Sequence, residues 1–196
     1  TLPAGLTDGA HTIYAVGSAG SQASAAVTIS STKATATGLT IANGTGTTRQ
    51  AGSGDVVTLT FDKELQPSSI CSAWPATSAT KSATGTVRIT RTSTATTLDV
   101  PSATGCTTLN IGTISLSRTD LGSANGMVAT FASSTIAWNA TAKKLVLTLG
   151  GTPTVTGGSL TRASSTPATA VYAPDTDMRS LVGGVVAGVS KSITPF

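Results

Sequence analysis

The strongest constraint on the fold is an alternation of apolar and polar residues with a period of two. It is clearest in the stretch DVVTLTF, where Val57, Leu59 and Phe61 are separated by threonines. A period of two places side chains on one face of a β-strand, whereas a helix repeats about every 3.6 residues. The stretch therefore predicts a half-buried strand.

Similar short runs recur along the chain, separated by loops rich in Gly, Pro, Ser and Thr. We expect breaks at Pro101 and at Ser133–Ser134, a turn-rich region at 153–169, and no helix of three turns. About ten short strands at a spacing of roughly 8–15 residues predict an all-β fold, an antiparallel β-sandwich. The residues expected to form its core are Val57, Leu59, Phe61, Val87, Ile89, Phe131, Trp138, Leu145 and Leu147.

The composition narrows the classes of function. Charged residues make up 10% of the chain, against about 25% in a typical soluble domain, so hydroxyl-bearing and small residues must cover the surface. The net charge is +4, but the 12 basic residues are scattered apart from Lys143–Lys144, whereas nucleic-acid binders cluster theirs. The most apolar run, Leu181–Val189, has roughly half the length of a membrane helix. We therefore expect neither nucleic-acid binding nor membrane insertion.

The chain contains two cysteines, Cys71 and Cys106. An even number in a Ser/Thr-rich chain favours a disulfide and an oxidising compartment, and neither cysteine has the Cys-x-x-Cys spacing of a redox or metal site. The bridge would close a loop of roughly 35 residues, and the alternative is two buried free thiols. The sequence opens at Thr1 without an initiator methionine or a signal peptide, which favours a processing boundary there over a native start.

The N-terminal stretch carries a recognisable pattern, Asp-Gly-x-His-Thr-x-Tyr-Ala, at residues 8–15. It resembles the closing strands of bacterial immunoglobulin-like domains. The resemblance implies that residues 1–31 are the closing hairpin of a preceding immunoglobulin-like domain, and that Tyr14 packs and makes a backbone hydrogen bond. The alternative is that this hairpin is integral to the single domain of the chain.

Two later segments carry the same resemblance. The strand expected at 56–62, with its acidic turn DKEL, and Trp138 followed by a turn and KLVLTL, are similar to repeats of secreted and wall-associated proteins from high-GC Gram-positive bacteria. The resemblance implies a linker at 32–37, an immunoglobulin-like β-sandwich at 38–196, and an extracellular or cell-surface location. The segment 175–184 departs from the family because it lacks the Asn of a polar Asp…Gly-Asn corner.

Catalytic patterns are sparse in this sequence. It has one histidine, His11, eight dispersed acidic residues and no Gly-x-Ser-x-Gly elbow, so we expect no enzyme activity and no catalytic residues. We also expect no cofactor, although Asp175 with Asp177, or Asp62 with Glu64, could supply oxygen ligands for calcium. The alternative for both pairs is that they are solvated turn residues.

Two further hypotheses concern binding and crosslinking. Trp74 follows Cys71 and precedes Pro75, outside the strand pattern, so it is a candidate platform for stacking on a glycan. Some bacterial surface domains of this kind contain a Lys–Asn or Lys–Asp isopeptide crosslink promoted by a buried acid; ordinary surface lysines are the alternative. The residues of such a crosslink would be Lys63 or Lys144, Asn110 or Asn139, and Glu64 as the acid.

The C-terminal segment is rich in glycine and valine. Val185, Val186, Val189 and Ile193 could support strand exchange between subunits, or form the last strand of the chain's own sheet. The leading prediction is a structural or adhesive module of an extracellular bacterial surface protein, with a self-assembling fibre subunit as one form of it. The alternative is a carbohydrate-binding module. Expected partners are other copies of the chain, neighbouring immunoglobulin-like modules, or a glycan or host surface.

Overall fold

The computed structural model describes residues 9–18, 20–29 and 33–196 of the chain. These ranges contain thirteen β-strands and one short helix, α1 (Pro67–Ile70), so the predicted all-β class is confirmed. The strands are β1 (Gly9–Val16), β2 (Gln22–Ile29), β3 (Ala34–Ala42), β4 (Val56–Phe61), β5 (Lys81–Arg91), β6 (Thr96–Ala103), β7 (Thr113–Leu116), β8 (Val128–Asn139), β9 (Lys144–Thr148), β10 (Thr154–Thr156), β11 (Ala168–Ala173), β12 (Val186–Ala187) and β13 (Val189–Ile193).

Eleven of these strands belong to one large sheet, and β1 with β2 forms a separate hairpin. The order along the large sheet is β12-β3-β4-β9-β8-β5-β6-β7-β11-β13, and β10 pairs with β8 beside this path. Neighbouring strands are antiparallel except for β12 and β3, which are parallel. The sheet is therefore mixed.

The last two strands bring the ends of this sheet together. Only Gly188 separates β12 from β13, yet Val186 pairs with Ala34 of β3 whereas Val189 pairs with Tyr172 of β11. The predicted sandwich is corrected accordingly, because a single sheet nearly closes into a barrel-like shape rather than forming a clear sandwich. Periodicity predicts which face of a strand is buried, but it does not predict which distant strand becomes its neighbour.

The nine residues predicted for the core are buried inside the nearly closed sheet. All nine are at most 3% exposed. The Phe61 ring makes edge-on contacts with Trp138 at a centroid distance of 6.0 Å and with Tyr172 at 6.3 Å, a favourable geometry for aromatic pairs. The Tyr172 hydroxyl donates to the Ile111 carbonyl oxygen at 2.7 Å, and burial raises the pKa of this hydroxyl.

Two predicted strand breaks are bulges within continuous strands. β6 continues through Pro101, where one residue of β5 lies opposite two of β6; a bulge tolerates the missing N–H of proline. β8 continues through Ser133, whose φ is 56°, at a register shift against β5. The Ser134 hydroxyl stabilises this second bulge, donating to the Phe131 carbonyl oxygen at 2.8 Å and accepting the Gly150 N–H at 3.0 Å.

The N-terminal region differs from the expected boundaries. β3 begins at Ala34, which is fully buried, so the linker predicted at 32–37 overlaps a strand. Residues 1–8, 19 and 30–32 of the predicted hairpin and linker lie outside the described residues. Tyr14 is 64% exposed, so it does not pack against the described residues, and the packing expected of it in a preceding domain stays a prediction. Within the described residues, the hairpin shares no strand pairing with the large sheet.

Candidate functional site

Cys71 and Cys106 form the predicted disulfide, with their Cα atoms 5.2 Å apart. The backbone of Cys71, which directly follows α1, also pairs with Leu109. One residue along, the Asn110 N–H donates to the Ile70 carbonyl oxygen at 2.9 Å. The bridge thus reinforces contacts between two segments that the backbone already joins, and it indicates an oxidising environment.

Trp74, the predicted stacking residue, is packed into the protein. Its side chain belongs to the hydrophobic core and is 8% exposed. The backbone N–H of Trp74 donates to the Cys71 carbonyl oxygen at 2.9 Å, which fixes this residue beside the disulfide. A ring buried in this way does not offer a free face to a sugar, so the carbohydrate hypothesis loses the residue from which the sequence argued it.

Asp175, Asp177 and Asp62, three of the four acidic residues considered for calcium, have partners within the protein. The Asp175 carboxylate accepts the Asp177 N–H at 2.9 Å, and Asp177 lies 3.6 Å from the Arg179 guanidinium. The Asp62 carboxylate accepts the Thr35 N–H at 2.7 Å. Across the described parts of the chain, no group of three His, Cys, Asp or Glu side chains is placed to hold a metal ion.

The remaining candidates do not converge on one site. His11 is half-buried on β1 of the hairpin. Lys144 and Asn139 face each other across β8 and β9, but both are exposed. The Asn110 amide donates to the Ser69 carbonyl oxygen at 3.2 Å. The Lys144–Asn139 pair therefore lacks the buried setting that the hypothetical isopeptide crosslink requires, whereas Oε1 of Glu64, its proposed acid, is buried without a hydrogen-bond partner within the described residues.

Three of the four residues predicted for strand exchange belong to the chain's own sheet, namely Val186 in β12 and Val189 and Ile193 in β13. The fourth, Val185, is exposed just before β12 and pairs with Arg179 in an isolated bridge. Beyond β13, Phe196 is 4% exposed and its carbonyl oxygen accepts the Arg49 N–H at 2.6 Å. The segment 186–196 is called the closing segment below, because it lies between the two ends of the sheet.

A pocket of about 370 Å³ lies where β7 ends and β11 begins. The Ser117 N–H donates to the Thr169 carbonyl oxygen at 2.9 Å, extending the β7–β11 pairing by one step before the two segments diverge. The pocket is lined by Ser117, Arg118, Thr119, Asp120, Thr166, Pro167, Ala168 and Thr169.

An ion pair forms the rigid part of this pocket. The Arg118 guanidinium donates two hydrogen bonds to the Asp120 carboxylate, both at 2.5 Å, and one each to the Ser164 and Thr166 carbonyl oxygens, both at 3.2 Å. The carboxylate also accepts the Ser164 N–H at 2.8 Å. Hydrogen bonding to Arg118 lowers the pKa of Asp120 to about 2, so this carboxylate is ionised at neutral pH. The pair fastens the loop after β7 to the loop before β11.

The sequence analysis missed this pocket. Its only local signal is an arginine and an aspartate two residues apart, directly after the strand that ends at Leu116. Such pairs are common on protein surfaces. The contact that makes this one a structured site comes from Ser164, which is 44 residues away from Asp120 in the chain.

Comparisons with known proteins do not assign the chain to a family. No protein-family model, no curated protein and no solved structure matches it. Within the described residues, no helix has the length and apolar character needed to cross a membrane. What is established is an all-β chain with one disulfide and a nearly closed sheet.

Proposed function

We propose that this chain is a structural module of a secreted or cell-surface bacterial protein, of the immunoglobulin-like kind, and that it bears tension between its ends. The main support is the parallel pairing of β12 with β3. Along the sequence, β3 is the first strand of the large sheet, and the closing segment contains its last two strands, β12 and β13. Tension between the residues before β3 and those after β13 therefore acts on the β12–β3 pair, which joins Val186 to Ala34 and Ala187 to Thr35, and on the pairing of β13 with β11.

The direction of the two strands decides how they resist that tension. In a parallel pair, the amino end of one strand and the carboxyl end of the other lie at opposite ends. Pulling on those two points slides the strands along each other, so the hydrogen bonds between them share the load. In an antiparallel pair pulled in the same way, the two points lie side by side and the bonds break one after another.

Further contacts hold the closing segment on its other side. β13 pairs with β11 over the whole of its length, from Val189 to Ile193, and Phe196 is buried beyond it. Extracellular placement is supported by the disulfide, since such bonds persist in oxidising compartments. The low charge and hydroxyl-rich surface expected from the sequence are compatible with it.

Single-molecule force measurements test the proposal. One handle is attached at Lys33 and the other at Thr194, both exposed positions flanking the large sheet. This geometry loads β3 and the closing segment in shear. We expect a sharp unfolding event at a high force.

The control changes only one attachment point. A handle at Gly46, where an added side chain would meet no atom within 4 Å, loads β3 from its carboxyl end, together with Thr194. This geometry peels the closing segment from β3, so we expect unfolding at a force several times lower. Equal unfolding forces in the two geometries would refute the load-bearing role.

A further inference from the structure

The pocket between the ends of β7 and β11 has the chemistry of a binding site. Its charged side chains, Arg118 and Asp120, neutralise each other, and its other polar groups are hydroxyls. We propose that this pocket binds a neutral polyhydroxyl ligand, namely the vicinal hydroxyl groups of a pyranose sugar. This site is separate from Trp74 and does not depend on the load-bearing role.

Arg118 and Ser164 hold the carboxylate of Asp120 in a fixed position, and its Oδ1 accepts fewer of their hydrogen bonds than its Oδ2. Its two oxygens accept three hydrogen bonds, two from Arg118 and one from Ser164. A carboxylate has about four acceptor positions, and Oδ1 accepts one of these three hydrogen bonds against two for Oδ2; the N–H of Asp120 itself also interacts with the carboxylate. The Asp120 side chain is 42% exposed, so a ligand hydroxyl can reach Oδ1.

Hydroxyl groups around the carboxylate supply the complementary contacts. Ser117, Thr119 and Thr169 also line the pocket, and none of the side-chain hydrogen bonds within the described part of the protein involves their hydroxyls. Each hydroxyl can donate and accept. Adjacent sugar hydroxyls could therefore donate to Asp120 and exchange hydrogen bonds with this rim, which a ligand with a single polar group could not do.

The charges of the pocket argue against ionic ligands. The Arg118 side chain is 8% exposed and its guanidinium is bound to Asp120 and two carbonyl oxygens, so an anion would meet the carboxylate first. A cation would compete with Arg118 for that carboxylate. A neutral ligand avoids both penalties.

The pocket is also preformed, which lowers the cost of binding. Arg118 fixes the carbonyl oxygens of Ser164 and Thr166, and the Thr161 hydroxyl donates to the Asp120 carbonyl oxygen at 2.6 Å. The lining loops are thus already joined before a ligand arrives. The affinity should still be modest, because no aromatic ring lines the pocket.

Amide chemical shifts of the full chain test this proposal, with methyl α-D-mannopyranoside, methyl β-D-galactopyranoside and methyl α-D-glucopyranoside as probes. At least one should produce saturable shifts confined to residues 117–120 and 166–169, with a Kd on the order of millimolar. Thr119→Val and Thr169→Val each remove one hydroxyl and should weaken binding by about 2- to 10-fold, the range for one hydrogen bond. Thr156→Val, the same change on the exposed strand β10, should leave binding unchanged.

Several outcomes would overturn the proposal. One is a folded protein without saturable shifts for any of the three probes at up to ~50 mM, far above a millimolar Kd. Others are shifts located elsewhere, or shifts unaffected by both rim variants. Calcium chloride or sodium phosphate producing the same shifts at lower concentration would identify a site for ions instead.

Discussion

At the scale of single residues, Asp55 joins two loops. Its side chain is fully buried, and its carboxylate accepts the Gly44 N–H and the Gly52 N–H, each at 2.7 Å. Burial raises the pKa of this carboxyl, and the two hydrogen bonds oppose that rise. Gly44 is required at this approach, because a Cβ there would lie 2.4 Å from the backbone of Gly54. The sequence showed Asp55 only as the polar residue before a strand.

Replacing this residue gives the first prediction. Asp55→Ala leaves two amides without their acceptor and should lower the free energy of unfolding by about 2–4 kcal/mol, as for other buried hydrogen-bond losses. Asp55→Asn keeps one acceptor oxygen and should cost less. Urea denaturation of the three proteins measures both differences. An alanine variant as stable as the wild type would show that Asp55 does not join the loops.

At the scale of elements, the sequence predicted strands well and their partners poorly. β4 and β9 were predicted because alternating Leu, Val and Phe residues mark their buried faces. β10 was missed because Val155 is the only apolar residue in its three. The closing segment was expected as one strand, but its change of neighbour at Gly188 depends on β3 and β11, which precede it by many residues. The pocket was missed for the same reason, since it depends on the hydrogen bond from the Ser164 N–H to Asp120, which lies 44 residues away in the chain.

The disulfide gives a prediction at this scale. It joins residues 35 apart in the sequence, and in the chain-entropy model closing such a loop stabilises a fold by about 3–4 kcal/mol. Guanidinium denaturation with and without reductant should show a lower midpoint for the reduced protein. The double variant Cys71→Ser/Cys106→Ser is the control, because its midpoint should not respond to reductant. Identical midpoints for oxidised and reduced wild type would contradict the expected stabilisation.

At the scale of the whole molecule, we expect the closing segment to determine whether the chain is monomeric or associates with other copies. It occupies β3 on one side and β11 on the other, so the intact chain leaves neither of these strands open to another copy there. Exposed strand edges are sites of association. Removing the segment would therefore convert two paired strands into two open ones.

Light scattering over a range of concentrations tests this expectation. The intact chain should keep the mass of one copy, whereas a variant lacking residues 186–196 should unfold or form large species. A variant lacking residues 1–32 is the control, because within the described residues the hairpin shares no strand pairing with the large sheet. This variant should keep the mass of one copy. If the intact chain instead formed open-ended assemblies that the C-terminal deletion abolished, the closing segment would be exchanged between copies, and the module would be a fibre subunit.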